Sequence, residues 1–189
     1  MIEEKIKVPA VKEILWQSYP KTASTPKEVL PIISAFKKHL KEIYSYDPNH
    51  YRQNSNAVLE TIRPDLEASG YVVERSKKQE DLIPVSVLYG QNDKPIKSFY
   101  ADAFNKETRT VLEVEAGQAV INYKFLKDIF EACMMDNVDY LAVAVKQVYV
   151  PNNGIGHYDF QTVCDGFLDT IYASNGITFK LKGIVIIGY

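Results

Sequence analysis

The sequence predicts an α/β (α+β) fold in which a central mixed β-sheet is flanked by helices. One observation is the order of the patterned segments: a helix precedes several short strands, and two further helices then alternate with two strands. A second is the nearly continuous apolar run at 139–151, which is typical of a parallel strand covered on both faces. Antiparallel strands early in the chain and parallel strands later together give a mixed sheet.

Length and composition describe one soluble globular domain. The chain has 189 residues, of which 46% are hydrophobic and 24% charged, so residues 1–189 suffice for one domain with a sizeable core. The net charge of -2 argues against indiscriminate binding of polyanions. Cys133 and Cys164 lack the spacing of a metal site, and no apolar run reaches transmembrane length. Because the N-terminus is mixed in charge, unlike a signal peptide, we expect a cytoplasmic protein without a membrane partner.

Residues 1–54 are predicted to form a helical N-terminal extension packed on a core of residues 55–189. Prolines divide this extension into segments. Helices are predicted over 11–20 and 26–46, and a loop over 47–54.

The core is predicted to begin with a helix over 55–68, with Ser55 or Asn56 as its N-cap and Gly70 as its stop. The later predicted strands cover 71–75, 85–90, 98–104, 110–117, 139–151 and 177–189, and the later predicted helices cover 118–135 and 159–174. Apolar residues recur with helical period in the first of these helices, which predicts that they face the core. They are Ala119, Tyr123, Leu126, Phe130 and Cys133.

Three carboxylates on two neighbouring strands are the main functional signal. Asp102 lies in the run SFYADAF, and Glu113 and Glu115 lie in the run TVLEVEAG. In an extended chain residues i and i+2 share a face at roughly 6 to 7 Å, so the two glutamates point the same way.

A polar stretch with turn character joins the two runs, which favours an antiparallel hairpin. If the numbers of opposed residues sum to an odd value near 213 or 215, Asp102 lies on the same face as the glutamates. An even sum places it on the opposite face and removes the site.

Carboxylates packed this closely raise one another's pKa unless a cation lies among them. Ligands that are all oxygen suit a hard ion such as Mg2+, which polarises a phosphoryl oxygen and activates water. The alternative is structural, because an amphipathic hairpin at a sheet edge often presents a face of acids to water.

This order of elements, with Asp102 followed after ten residues by Glu113-Val114-Glu115, resembles the PD-(D/E)XK nuclease superfamily. The similarity covers roughly residues 55–150 and extends to type II restriction endonucleases of the BamHI and BglII type. It implies a restriction-endonuclease-like core. The family usually has lysine where this chain has Glu115, although the BamHI-type branch has glutamate there.

By this resemblance, Asp102, Glu113 and the backbone carbonyl of Val114 would hold Mg2+. Glu115 would serve as a general base or as a ligand of a second metal ion. Two accessory residues are weighed against plain structural roles: Glu60, which otherwise is a solvated surface acid, and Gln118, which otherwise caps a helix.

The resemblance implies a Mg2+-dependent endonuclease that hydrolyses double-stranded DNA, specifically a sequence-specific type II restriction enzyme working as a homodimer. One alternative is another nuclease of the superfamily, with a task in repair, junction resolution or nicking. Another is an inactive DNA-binding module of the same fold. Two basic sets are candidate phosphate contacts unless they only solubilise the surface: Lys37, Lys38 and Lys41, or Arg75, Lys77 and Lys78.

Overall fold

A six-stranded mixed sheet separates two layers of helices in the computed structural model, which describes residues 11–44, 53–117, 119–151, 156–174 and 176–189. The strands are β1 (Leu15–Tyr19), β2 (Val72–Val73), β3 (Ile83–Tyr89), β4 (Pro95–Ala101), β5 (Ala103–Asn105), β6 (Thr110–Glu115), β7 (Tyr140–Val145) and β8 (Gly183–Gly188). The order across the sheet is β1, β8, β7, β6, β5, β2, and β3 pairs with β4 in a separate ribbon. The predicted mixed sheet flanked by helices is confirmed.

Helices cover both faces of the sheet. They are α1 (Leu30–Lys38), α2 (Leu40–Ile43), α3 (Ser55–Ala68), α4 (Lys124–Met134), and a last helical segment made of α5 (Asp159–Gln161), a π-helical stretch (Thr162–Leu168) and α6 (Asp169–Ala173). One apolar cluster joins α1, α2 and α3 to the sheet, and a second joins α4 and the last segment to the opposite face. The central strands are therefore buried on both sides.

The three central strands β6, β7 and β8 run parallel. On β7, Ala142 and Ala144 pack in the cluster of α1 to α3, whereas Leu141 and Val143 pack in the cluster of α4. Burial on both faces explains why this strand is apolar at every position, as the sequence predicted, but β7 ends at Val145 and so covers only part of the predicted range 139–151.

The chain changes sheets at Asp102. Residues up to Ala101 pair with β3 in the ribbon, and residues from Ala103 pair with β6 in the central sheet. The single predicted strand over 98–104 is therefore two strands joined by a bend. The side chain of Asp102 projects from the corner.

The predicted helix over 11–20 is wrong, because Leu15–Tyr19 forms strand β1. It pairs antiparallel with β8, with Leu15 opposite Gly188. All residues of β8 are buried, so its outer edge needs a hydrogen-bonding partner, and this long-range pairing decides the conformation of a five-residue stretch with no strong preference of its own. The predicted helix over 26–46 is shorter in the structure, where α1 and α2 occupy part of it.

Helix α4 begins later than predicted and faces the core differently. Asn122 and Tyr123 have left-handed backbone conformations, with φ of 62° and 53°, and these delay the regular helix to Lys124. Tyr123 and Phe130, predicted to face the core, are each 54% exposed. The buried positions of α4 are Phe125, Asp128, Ile129 and Ala132.

Helix α3 matches its predicted bounds, but its N-cap is Asn54 and neither predicted residue. The Asn54 side chain accepts a hydrogen bond from the Ala57 N–H at 2.9 Å. At the other end, Gly70 has a φ of +85°, a left-handed conformation that favours glycine and ends the helix as predicted.

Candidate active site

The strand register brings Asp102 to Glu113. Ala103 on β5 lies opposite Leu112 on β6, a pair whose numbers sum to 215. Continued by one residue, the same register places Asp102 opposite Glu113, and opposed residues share a face. The odd sum required by the sequence prediction is therefore confirmed, and Asp102 lies on the face of the two glutamates.

A hydrogen bond fixes the Asp102 carboxylate against β6. The Val114 N–H donates to Asp102 Oδ2 at 2.8 Å, away from solvent. Because the N–H and C=O of one strand residue point to the same edge, the Val114 carbonyl also points to the β5 side. The Asp102 carboxylate and the Val114 carbonyl therefore lie on the same side of β6, and the charge of Asp102 acts on the neighbouring Glu113.

Glu74 is a further acid of the site, and the sequence prediction did not include it. Val73 on β2 lies opposite Ala103, so the next pair along is Glu74 opposite Asp102, and the Glu74 N–H donates to the Asp102 carbonyl at 2.8 Å. Glu74, Asp102 and Glu113 therefore form a row of acids across three neighbouring strands. Only the pairing of β2 with β5, which are far apart in the chain, reveals this row.

Lys77 contacts two acids of this row. Its Nζ lies 2.7 Å from Glu74 Oε1 and 3.6 Å from Asp102 Oδ1. Burial alone would lower the pKa of Lys77, but its contacts with Glu74 and Asp102 outweigh that effect and raise it. The ammonium group therefore stays protonated beside the acids.

Helix α4 adds Asp128 from above the sheet. Asp128 is 7% exposed, and its Oδ2 is buried without a hydrogen-bond partner. Lys127 Nζ lies 3.8 Å from Asp128 Oδ1, and Lys124 Nζ lies 4.0 Å from Glu115 Oε2. Asp128 lies on the same buried face of α4 as Phe125 and Ile129. A sequence prediction that placed this face correctly would have identified Asp128 as a buried acid.

Burial is the main reason that the site acids hold protons more tightly than usual. It raises the pKa of Asp102, although the Val114 hydrogen bond and Lys77 oppose it. It also raises the pKa of Glu115, against the charge of Lys124. For Glu113, burial and the charges of Asp102 and Asp128 together raise the pKa well above its ordinary value.

The pKa of Asp128 is raised to about 7, first by burial and then by the charge of Glu115. A raised carboxyl pKa means that stability is highest below the ordinary pKa and falls as pH rises toward about 7. We therefore expect Asp128→Asn to raise the free energy of unfolding at pH 8 in EDTA by about 2 kcal/mol, and by close to zero at pH 4. Urea unfolding at both pH values measures this difference.

The matched control for Asp128→Asn is Glu60→Gln, because Glu60 is exposed on α3. We expect the control to leave unfolding unchanged at either pH. An equal gain for Asp128→Asn at pH 4 and pH 8 would attribute the effect to packing and would contradict the charge argument.

Two buried charged side chains, Lys146 and Asp159, lie near Glu115, just beyond the carboxyl end of β7. Lys146 is 2% exposed, and burial lowers its pKa to about 8. Asp159 is buried with an unpartnered Oδ2, and burial raises its pKa to about 7 despite the charge of Lys146. The Tyr189 hydroxyl donates to the Glu115 carbonyl at 3.4 Å, which ties the end of the chain to the end of β6.

The two accessory predictions have different outcomes. Glu60 lies on the exposed side of α3, opposite the buried stripe of Val58, Leu59 and Ile62, and no contact within the described residues links it to the three acids. Gln118 lies outside the described residues.

Metal binding at the site would depend on a mixed set of ligands. Among the described residues, no group of three or more His, Cys, Asp or Glu side chains is arranged to hold a metal ion. Two carboxylates with a backbone carbonyl, by contrast, match the all-oxygen chemistry of Mg2+, which usually binds few protein groups and keeps several waters. The unpartnered Asp128 Oδ2 is also consistent with a place where positive charge is needed.

Comparison of the chain with protein-family models, with curated proteins and with solved structures gives no match. Within the described part of the chain, no helix combines the length and apolar character needed to cross a membrane.

Proposed function

We propose that this protein is a Mg2+-dependent endonuclease that hydrolyses phosphodiester bonds of double-stranded DNA. The observation that carries the proposal is the register of β5 and β6, with Ala103 opposite Leu112, which brings the neighbouring Asp102 against β6 next to Glu113. The Val114 hydrogen bond to Asp102 supports it, because this bond orients one carboxylate oxygen and leaves the other for a cation.

The solvated-face alternative fits the burial less well. Acids that only solubilise a hairpin are expected to be exposed and to have ordinary pKa values. Asp102 is 9% exposed, Glu113 and Glu115 are half-buried, and partial or full burial raises the pKa of all three. Perturbed acids gathered in this way are typical of functional sites.

In the proposed mechanism, Asp102, Glu113 and the Val114 carbonyl would hold Mg2+. The ion, when bound, would stabilise charge on the phosphoryl group and lower the pKa of a bound water. Glu115 would accept the proton of the attacking water while the new P–O bond forms, and the 3′ oxygen would leave with the electron pair of the broken P–O bond and take a proton from solvent water. Lys124, at 4.0 Å, would hold the Glu115 carboxylate in position.

The resemblance further suggests a type II restriction enzyme acting as a homodimer, since two copies of one site cut both strands of a symmetric target. The test incubates the purified protein with unmethylated phage and plasmid DNA, with Mg2+ or with EDTA, beside an Asp102→Ala control. Discrete fragments that require Mg2+ and disappear in the variant would support a site-specific nuclease. Smearing or nicking would favour another nuclease of the superfamily, and binding without cleavage would favour an inactive module.

A further inference from the structure

The ammonium group of Lys77 lies where a metal cation would approach the Asp102 carboxylate. The Asp102 Oδ2 atom is engaged by the Val114 N–H, so Oδ1 is the carboxylate oxygen that faces a cation. Lys77 Nζ lies 3.6 Å from that oxygen. Within the described residues, no other Lys or Arg forms an ion pair with Asp102.

The two partners of Lys77 are buried, but Lys77 itself is not. The side chains of Glu74 and Asp102 are 4% and 12% exposed, whereas the Lys77 side chain is 62% exposed. The lysine thus lies along the solvent side of the site with only its ammonium group directed inward. It can withdraw from Asp102 without opening any part of the core.

The backbone around Lys77 is held while the side chain remains long and flexible. The Ser76 hydroxyl bonds to the Asp81 carboxylate and accepts a hydrogen bond from the Lys78 N–H at 3.2 Å. These bonds fix the turn on both sides of Lys77. The ammonium group can therefore exchange partners over a few ångströms without a loop movement.

We propose that Lys77 neutralises Asp102 in the metal-free protein and moves to a phosphate oxygen of the bound DNA when a divalent cation takes its place. This inference rests on the proposed function and adds a positioning residue to it. A divalent ion outcompetes one ammonium group for Asp102 Oδ1, and the displaced charge then faces solvent, where the phosphodiester backbone must approach. Lys77 would thereby couple metal binding to the affinity for DNA.

The first test measures Mn2+ binding by calorimetry, without DNA, to the wild type and to three variants. Lys77→Gln removes the competing charge and is expected to bind Mn2+ about fivefold more tightly. Lys77→Arg keeps the charge and is expected to bind Mn2+ as the wild type does. Lys106→Gln, at an exposed lysine on the turn between β5 and β6, is the matched control and is expected to change nothing.

The second test measures the affinity for a DNA duplex at saturating Mg2+ over a range of salt concentrations, in a Glu115→Gln background that blocks cleavage. Losing one phosphate contact is expected to reduce the slope of log K against log salt by about one in Lys77→Gln. Tighter metal binding combined with weaker DNA binding is the expected signature, and a purely structural role would not move the two in opposite directions.

Unchanged or weaker Mn2+ binding by Lys77→Gln would overturn the inference, and so would an unchanged salt slope. If the wild type binds Mn2+ and cleaves DNA while Lys77→Gln behaves as the wild type does, the inference fails and the proposed function stands. If the wild type neither binds Mn2+ nor cleaves DNA, the proposed function fails and the inference fails with it.

Discussion

Glu113→Gln is expected to reduce the rate of DNA cleavage at least about 10³-fold under single-turnover conditions. The amide matches the carboxylate in size but carries no charge. It therefore binds a hard divalent ion poorly and does not offset the positive charge of that ion. Glu113 follows Leu112, which lies opposite Ala103 in the register of β5 and β6, and the charge of Asp102 acts on it. The measurement is the conversion of supercoiled plasmid to cut forms at increasing Mg2+ concentration.

Glu60→Gln is the control for this substitution, because it removes an exposed acid from α3. We expect its cleavage rate to equal that of the wild type. It also decides the accessory role predicted for Glu60, which a loss of activity in this variant would support. Cleavage by Glu113→Gln at the wild-type rate would remove the proposed metal centre.

Gly117→Ala is expected to lower the free energy of unfolding by about 2 to 4 kcal/mol and the melting temperature by about 10 °C. Gly117 has a φ of +137°, which residues other than glycine rarely adopt. A Cβ atom there would lie 2.3 Å from Tyr149 Cε2. Both backbone strain and collision with the ring therefore oppose the substitution. Because Gly117 lies two residues after Glu115, we expect cleavage to fall as well.

A double variant separates the two causes. Gly117→Ala combined with Tyr149→Ala removes the collision but keeps the backbone strain, so we expect partial recovery relative to Tyr149→Ala alone. Gly176→Ala is the control, because a methyl group there meets no atom within 4 Å. Urea unfolding of the set gives the coupling energy. A neutral Gly117→Ala would contradict the close approach of Tyr149 to this backbone.

The parts of the site that depend on strand period were predictable from sequence. Glu113 and Glu115 share a face because side chains alternate in any strand. Whether Asp102 joins them depended only on whether the numbers of opposed residues in the hairpin sum to an odd or an even value. The apolar stretch within 139–151 identified β7, because Tyr140–Val145 is covered on both faces and carries no charged side chain. These features follow from local geometry.

The parts that depend on distant pairing were not predictable. Glu74 joins the acids only because β2 pairs with β5, and residues 11–20 contain a strand only because β8 offers an unpaired edge. Asp128 was missed for a different reason, since the left-handed residues before α4 shift the start of the helix and its buried face. Tertiary contacts override local preference at β1 and bring Glu74 to the site, whereas Asp128 depends on the local phase of α4.

The pairing of β1 with β8 has a consequence for the order in which the protein is made. Leu15 leaves the ribosome long before its partner Gly188. Strand β1 can therefore pair with β8 only after nearly all of the intervening chain has been synthesised. Strand β5, which follows Asp102, and strand β6, which carries Glu113, are joined by a short turn and can pair much earlier. Synthesis of the chain would therefore assemble the acids first and seal the far edge of the sheet last.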